Sequence, residues 1–323
     1  MRMVKRMVDL FLWLLLLGFG ACFLISGLAP VLDARVCMPL RELLTGITGA
    51  VYAPVFELLA VCVPIALIIM LVCGKLTGVT TVAKLLLISY VITLGIPSKQ
   101  PIRVESREEP TIEEYITAAR LIGDKISELP EPDDYELSSA AAAAVKYARD
   151  KLDIHPEEAP RVKDTVAPIT LTKMGIVAYF AFATAEVVVN TSAPGFMTVL
   201  ATAHEVMHFL GITREDEANL FATAALIESG DPTLALSAYL SAFVYVGARI
   251  CDEKRDTYSE IYAYLPAFAR EMLEFRAHFL KEKGGTLATV SDTLNDYAVS
   301  LHDPRGAESY SETAALLVPY FLE

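Results

Sequence analysis

The sequence predicts a mainly α protein with a small β-sheet, in which about three N-terminal transmembrane helices precede an acidic globular domain. Charge is the first observation behind this. Residues 1–96 hold seven Lys/Arg and four Asp/Glu, whereas the remainder holds 20 Lys/Arg and 36 Asp/Glu and so carries −16. Two parts with different solvents follow from that split. Second, the first part contains charge-free runs long enough to cross a bilayer. Third, the acidic part is patterned in helical periods except for one β-branched and aromatic stretch. The division is therefore 1–97, a membrane domain, and 98–323, a domain of about 225 residues, enough for a core of its own.

Along the membrane part, residues 10–32 carry no charge and predict a first span. A cleaved signal peptide is the competing reading, but the run is longer than a signal core and lacks a clear small-x-small cleavage site. Between Leu43 and Gly74 the only charged residue is Glu57, which predicts a second span near 53–74 with Glu57 close to its entrance. A third span near 80–97 must accommodate Lys84 by snorkelling. Arg2, Lys5 and Arg6 precede the first span, and Lys75 and Lys84 follow the second. Positive-inside bias places the N-terminus in the cytoplasm and, with three spans, the C-terminal domain outside the cytoplasmic membrane. Should 80–97 not span, the domain lies inside the cell.

In the acidic part, 98–110 is a polar linker. Thr111 with Glu114 is a capping box for a helix to about 128. Residues 138–152 are strong helix formers. The stretch 174–190 predicts one or two short strands. Helices then cover about 196–210, 215–228, 232–250, 256–283 (kinked at Pro266), 287–301 and 309–321. The uncharged run within 233–249 is too short for a span and predicts a buried core helix.

Several functions are excluded or disfavoured by composition. A domain this acidic repels phosphate backbones, so nucleic acid is not expected as a partner. Four cysteines (Cys22, Cys37, Cys62, Cys73) lie in the membrane part and only Cys251 in the acidic part, so neither a disulfide nor a cysteine-rich zinc site forms within the latter. Any metal there is held by histidines and carboxylates.

The run ATAHEVMHFLGITREDEAN supplies both. His204 and His208 are four apart and share a helix face, so both imidazoles can reach one zinc ion. Glu205 sits beside the first ligand, placed to take a proton from a zinc-bound water and pass it to a leaving amine. A zinc ion with three protein ligands keeps one position open. The alternative is a helix that merely contains two half-buried histidines. Position 214 is Arg, so a third histidine in metzincin spacing is absent. Glu215-x-x-Ala218-Asn219 matches the E-x-x-A-N pattern that supplies a third ligand in several zinc peptidase families. Glu215 is thus the preferred ligand, with Glu217 as the alternative, Asn219 orienting a ligand, and Asp216 belonging to a solvated helix start.

These residues resemble the bacterial membrane-protein family catalogued as domain of unknown function 3810, whose members look like zinc peptidases of the zincin type. The resemblance runs through Gly175, Ile176, Tyr179, Phe180, Phe182, Glu186, Val189 and Asn190. It continues through His204, Glu205, His208, Gly211 and Arg214 through Asn219, and ends with Ser309-Tyr310. Ala181 and Ala185 depart from the family's usual Pro and Gly. The resemblance implies a zincin-like metallopeptidase domain. It also implies a substrate-binding edge strand at 184–190 and Tyr310 as a donor to the developing oxyanion. His155 and His302 compete for that role but read as surface residues, and His278 as structural.

The expected function is a membrane-anchored zinc metallopeptidase acting on a peptide or protein substrate. A non-catalytic zinc-binding sensor or assembly protein on the same fold is the alternative. An intramembrane protease is disfavoured, because the acidic 214–217 run lies only six residues past His208.

Overall fold

The computed structural model describes residues 27–104, 108–132, 134–289, 291–293 and 308–323, and near the N-terminus 7, 10, 12–14, 16–18 and 20; for 308–311 it describes the backbone alone. The described residues before 21 are helical, and Gly27 breaks the chain in the left-handed region at φ 86°. The expected first span, 10–32, is thus interrupted, and part of it lies outside the described residues. Ala29–Leu32 already belongs to the next helical run, which passes through a π-helical turn, Asp33–Cys37, into helix α1, Met38–Gly49.

Helix α2, Val55–Val72, and helix α3, Leu76–Tyr90, follow, and α3 continues through a second π-turn, Val91–Gly95. Among the described residues, three helical stretches are long and apolar enough to cross a membrane: Val55–Val72, Leu76–Lys99 and Pro232–Glu253. No residue of α2 is buried, and Val61, Ile65 and Ile68 are exposed. Such an unpartnered apolar helix suits lipid. The 232–253 helix is instead two-thirds buried inside the protein, as expected for a core helix. Lys84 is buried, with its ammonium 4.5 Å from the centre of the Trp13 ring, a cation–π contact.

The two π-turns meet at Arg41, which is fully buried. Its Nη1 donates to Asp33 Oδ1 at 2.6 Å, in the first turn, and to the Ile92 carbonyl at 3.1 Å, in the second. Gln100 adds a donor to Asp33 Oδ2 at 2.7 Å. A π-turn displaces its carbonyls from the regular helical ladder, and here one of them serves the guanidinium.

The sheet has three strands: β1, Val162–Asp164; β2, Ala178–Ala181; and β3, Glu186–Val189. Helix α6, Pro168–Met174, separates β1 from β2, with α4, Ile112–Glu128, and α5, Leu137–Lys151, earlier in the chain. β3 is the central strand, parallel to β1 and antiparallel to β2. The expected edge strand at 184–190 is therefore corrected: β2 is the edge, because β1, unrecognised in the sequence, occupies β3's other side.

Charges dock this sheet on the first helices. Lys163 and Glu186 are each about 1% exposed at the side chain and form an ion pair at 2.6 Å. Lys163 Nζ also donates to the Thr48 carbonyl at 2.7 Å, near the end of α1. Glu186 accepts from the Val55 and Phe56 amides at 2.9 and 2.8 Å, the first residues of α2. Helix ends leave carbonyls and amides without intrahelical partners, and one ion pair from the sheet serves both ends of this corner. Glu57 repeats the pattern, accepting from Thr165 Oγ1, the Val166 amide and the Tyr179 hydroxyl.

The remaining helices are α7, Gly195–Phe209; α8, Glu215–Glu228; α9, Pro232–Glu253; α10, Arg255–Tyr264; α11, Ala267–Lys281; and α12, Glu308–Leu322. Pro266 separates α10 from α11 outright, where a single kinked helix was expected. The expected 287–301 helix lies largely outside the described residues. Helix α7 is central, packed by α5, α8, α9 and β2. Ala140, Ala141, Ala144 and Ala148 are buried on α5, and their small side chains let that helix approach closely. The Thr111 capping box forms as expected, with Glu114 returning to the Thr111 amide at 2.7 Å.

Candidate metal centre

His204 and His208 lie on one face of α7, with ring centroids 4.6 Å apart. Helix α7 ends at a left-handed glycine: Gly211 has φ 92°, its amide meets the His208 carbonyl, and the Ile212 amide meets that of Met207. This is the glycine termination that reverses a chain sharply. The turn carries the chain back so that Glu215, the first residue of α8, faces both imidazoles. Glu215 Oε2 is 3.1 Å from His204 Nε2, and Oε1 is 3.6 Å from His208 Nε2. One ligand atom from each of the three residues lies within 4.8 Å of the others, and all three are buried.

The donor set fits zinc. Tetrahedral bonds of about 2.0–2.1 Å place ligand atoms roughly 3.3 Å apart, a value that the two observed separations bracket. Glu215 Oε2 has no hydrogen-bond alignment despite its closeness to His204, and His204 Nδ1 is unpartnered as well. The unaligned Glu215 oxygen, which lies beside Nε2 of His204 and not beside Nδ1, is the acceptor a shared cation would use. His208 Nδ1 lies 2.7 Å from the Ile212 carbonyl, so Nδ1 carries a proton there and Nε2 is the ring atom that faces Glu215.

Without a metal the cluster is an ion-pair triad. Burial alone would lower the His208 pKa, but the Glu215 carboxylate overrides this and raises it to about 9. Burial likewise opposes ionisation of Glu215, yet the imidazoles hold it well below the usual carboxylate range. Glu205 differs: it is buried beside the triad, and desolvation pushes its carboxyl above the ordinary value. The Phe180 amide of β2 faces it.

The other acidic candidates separate cleanly. Glu217 turns away and accepts from the Arg103 and Val104 amides at 2.6 and 3.0 Å, anchoring the linker. Asp216 is buried and pairs with Arg214 at 2.9 Å, so the expected solvated helix start is corrected. Asn219 orients no ligand. Its Nδ2 donates to Thr313, and its Oδ1 accepts from Tyr245 at 3.4 Å. Tyr310 lies in α12, but its side chain falls outside the described residues, as does His302. His155 is a surface residue paired with Asp153, and His278 is exposed.

A cleft of about 610 Å³ opens over His204 and Glu205, walled by 174–178, α9 and α11. Two residues in it were missed in the sequence, Tyr245 and Arg276. Tyr245 is pushed up to about 12 by burial and then by Glu215. Its signal was present: Ser237, Ser241 and Tyr245 recur every four residues and put one polar stripe on an apolar helix. Arg276, in an ordinary amphipathic helix, gave no such signal.

Among comparisons with known proteins, the model of the family described as protein of unknown function (DUF3810) matches residues 36–318. No curated protein and no solved structure matches the chain.

Proposed function

We propose, for a chain that belongs to the DUF3810 family, a membrane-associated zinc-dependent peptidase. The observation that carries this reading is the convergence of His204, His208 and Glu215 on one point, with Glu205 alongside and a cleft above. His204, His208 and Glu215 would hold the ion. Bound zinc supplies Lewis acidity and makes water available as a nucleophile near neutral pH.

The chain's own residues provide the rest. Glu205, with its carboxyl raised by burial, accepts a proton from the attacking water and returns it to the leaving amine. The Tyr245 hydroxyl, kept protonated by its high pKa, lines the cleft with Glu205 and would donate to the negative charge developing on the carbonyl oxygen. β2 has one edge free of the sheet, and its neighbours 174–178 line the cleft, so a peptide can add there as a further strand. Counted with the expected first span at 10–32, the two N-terminal apolar helices make three crossings, and the positively charged N-terminus then supports a cytoplasmic-membrane protein with its catalytic part outside the cytoplasm.

Replacing Glu205 with Gln tests the chemistry. Zinc content by elemental analysis should match wild type, while hydrolysis of an unstructured protein pool falls by about 10²–10⁴-fold. Undiminished turnover in a zinc-loaded Glu205→Gln protein refutes the assignment. Zinc retention with no turnover in wild type favours the non-catalytic zinc-binding reading.

A further inference from the structure

The cleft has a second chemical end. Arg276 on α11 lines it together with Tyr245, His204 and Glu205. Among the described residues this guanidinium makes no hydrogen bond or ion pair, and burial depresses its pKa. Its titratable neighbours are Tyr245 and Tyr258, phenols that burial keeps neutral. The cleft's other cation, Lys283, is by contrast matched by Asp292 at 2.6 Å. A partly desolvated guanidinium with no counter-anion is unfavourable, and its planar fork is shaped to take a carboxylate through two parallel hydrogen bonds. The surroundings sharpen this point, since residues 97–323 carry −16. Such a surface repels anionic ligands in general, so an acidic substrate group needs a local cation to enter.

We infer that Arg276 is a substrate-binding residue that receives a carboxylate of the peptide in the cleft it lines with His204 and Glu205. Tyr245 and Glu205 line the same cleft, so a peptide anchored by its carboxylate at Arg276 would lie alongside both. This inference rests on the peptidase reading, but its test does not depend on turnover.

The test uses the full-length protein in detergent, loaded with zinc, and three probes: acetyl-Ala-Ala-Ala with a free C-terminus, the same peptide as its amide, and acetyl-Ala-Glu-Ala amide. Equilibrium binding and cleavage are measured in parallel. A carboxylate probe should bind about tenfold more tightly than the neutral amide. That ratio should fall to about one in Arg276→Gln and be partly kept in Arg276→Lys. Which of the two acidic probes gains decides between a chain terminus and an acidic side chain. Equal binding of all three by wild type, or a preference that survives in Arg276→Gln, overturns the assignment. If Arg276→Gln does not fold, the wild-type ratio and its weakening in Arg276→Lys still decide. Preference without cleavage sinks the peptidase reading and leaves the subsite standing; cleavage without preference does the reverse.

Discussion

Glu215 and Glu217 sit two residues apart on α8 and do unrelated things. One faces the imidazoles, while the other binds two amides of the linker. Glu215→Ala should therefore lose stoichiometric zinc in elemental analysis. Glu217→Gln should keep it and lower stability by about 1–3 kcal/mol, the scale of a weakened charged hydrogen bond at a buried site, read as a shift in thermal midpoint. The pairing of His204 with His208 was legible in the sequence because helical periodicity fixes which side chains share a face, whereas Glu215, on the next helix, was legible only through the E-x-x-A-N pattern. Asp216 was not legible, since nothing local reveals that Arg214 folds over it. Tyr245 escaped for the opposite reason: its helix was correctly read as buried, and a buried helix draws attention away from polar groups aimed inward.

Among elements, the turn after α7 is the most constrained. A Cβ on Gly211 would lie 2.6 Å from Asp33 Oδ2 and 3.1 Å from Arg41 Nη2, besides straining a φ of 92°. Gly211→Ala should cost at least about 1–3 kcal/mol and also weaken zinc affinity, because the neighbouring Ile212 carbonyl orients His208. Chelator competition measures the second effect. The sheet gives a pH dependence. Burial opposes ionisation of Glu186, but Lys163 and the amides of α2 hold its carboxyl below the ordinary 4.5. A depressed native pKa adds stability above the ordinary value and loses it as pH falls through the lower one. Thermal unfolding should therefore steepen below about pH 4.5 in wild type, and Glu186→Gln should flatten that limb. The longer helices of the acidic part were readable because caps and periodicity are local, whereas Met38–Gly49 and the short Pro168–Met174 were not read as helices. Strand order was not readable, as β3 becomes central only through β1, a three-residue segment more than twenty residues upstream.

At the scale of the whole molecule, the boundary at 97/98 marks a change of composition rather than a seam in the hydrogen-bond network. Lys163, Glu186, Glu57 and Gln100 all make bonds that cross it, and Asp33 and Arg41 lie against the turn that ends α7. A fragment of 98–323 should bind less than stoichiometric zinc and melt well below the full chain, since the buried Lys163–Glu186 pair loses its bonds to Thr48, Val55 and Phe56, and each charged group left short of a partner costs about 1–3 kcal/mol. Equal zinc content and an unchanged midpoint would contradict this. Charge asymmetry made two solvents legible, but long-range docking has no periodic signature and stayed hidden. The Glu186 carboxylate is fastened to the first turn of α2, and β2, one strand away, touches the helix that carries His204. Any tilt of α2 would pull on that fastening, so a load on this apolar helix is passed through the sheet to the histidine helix.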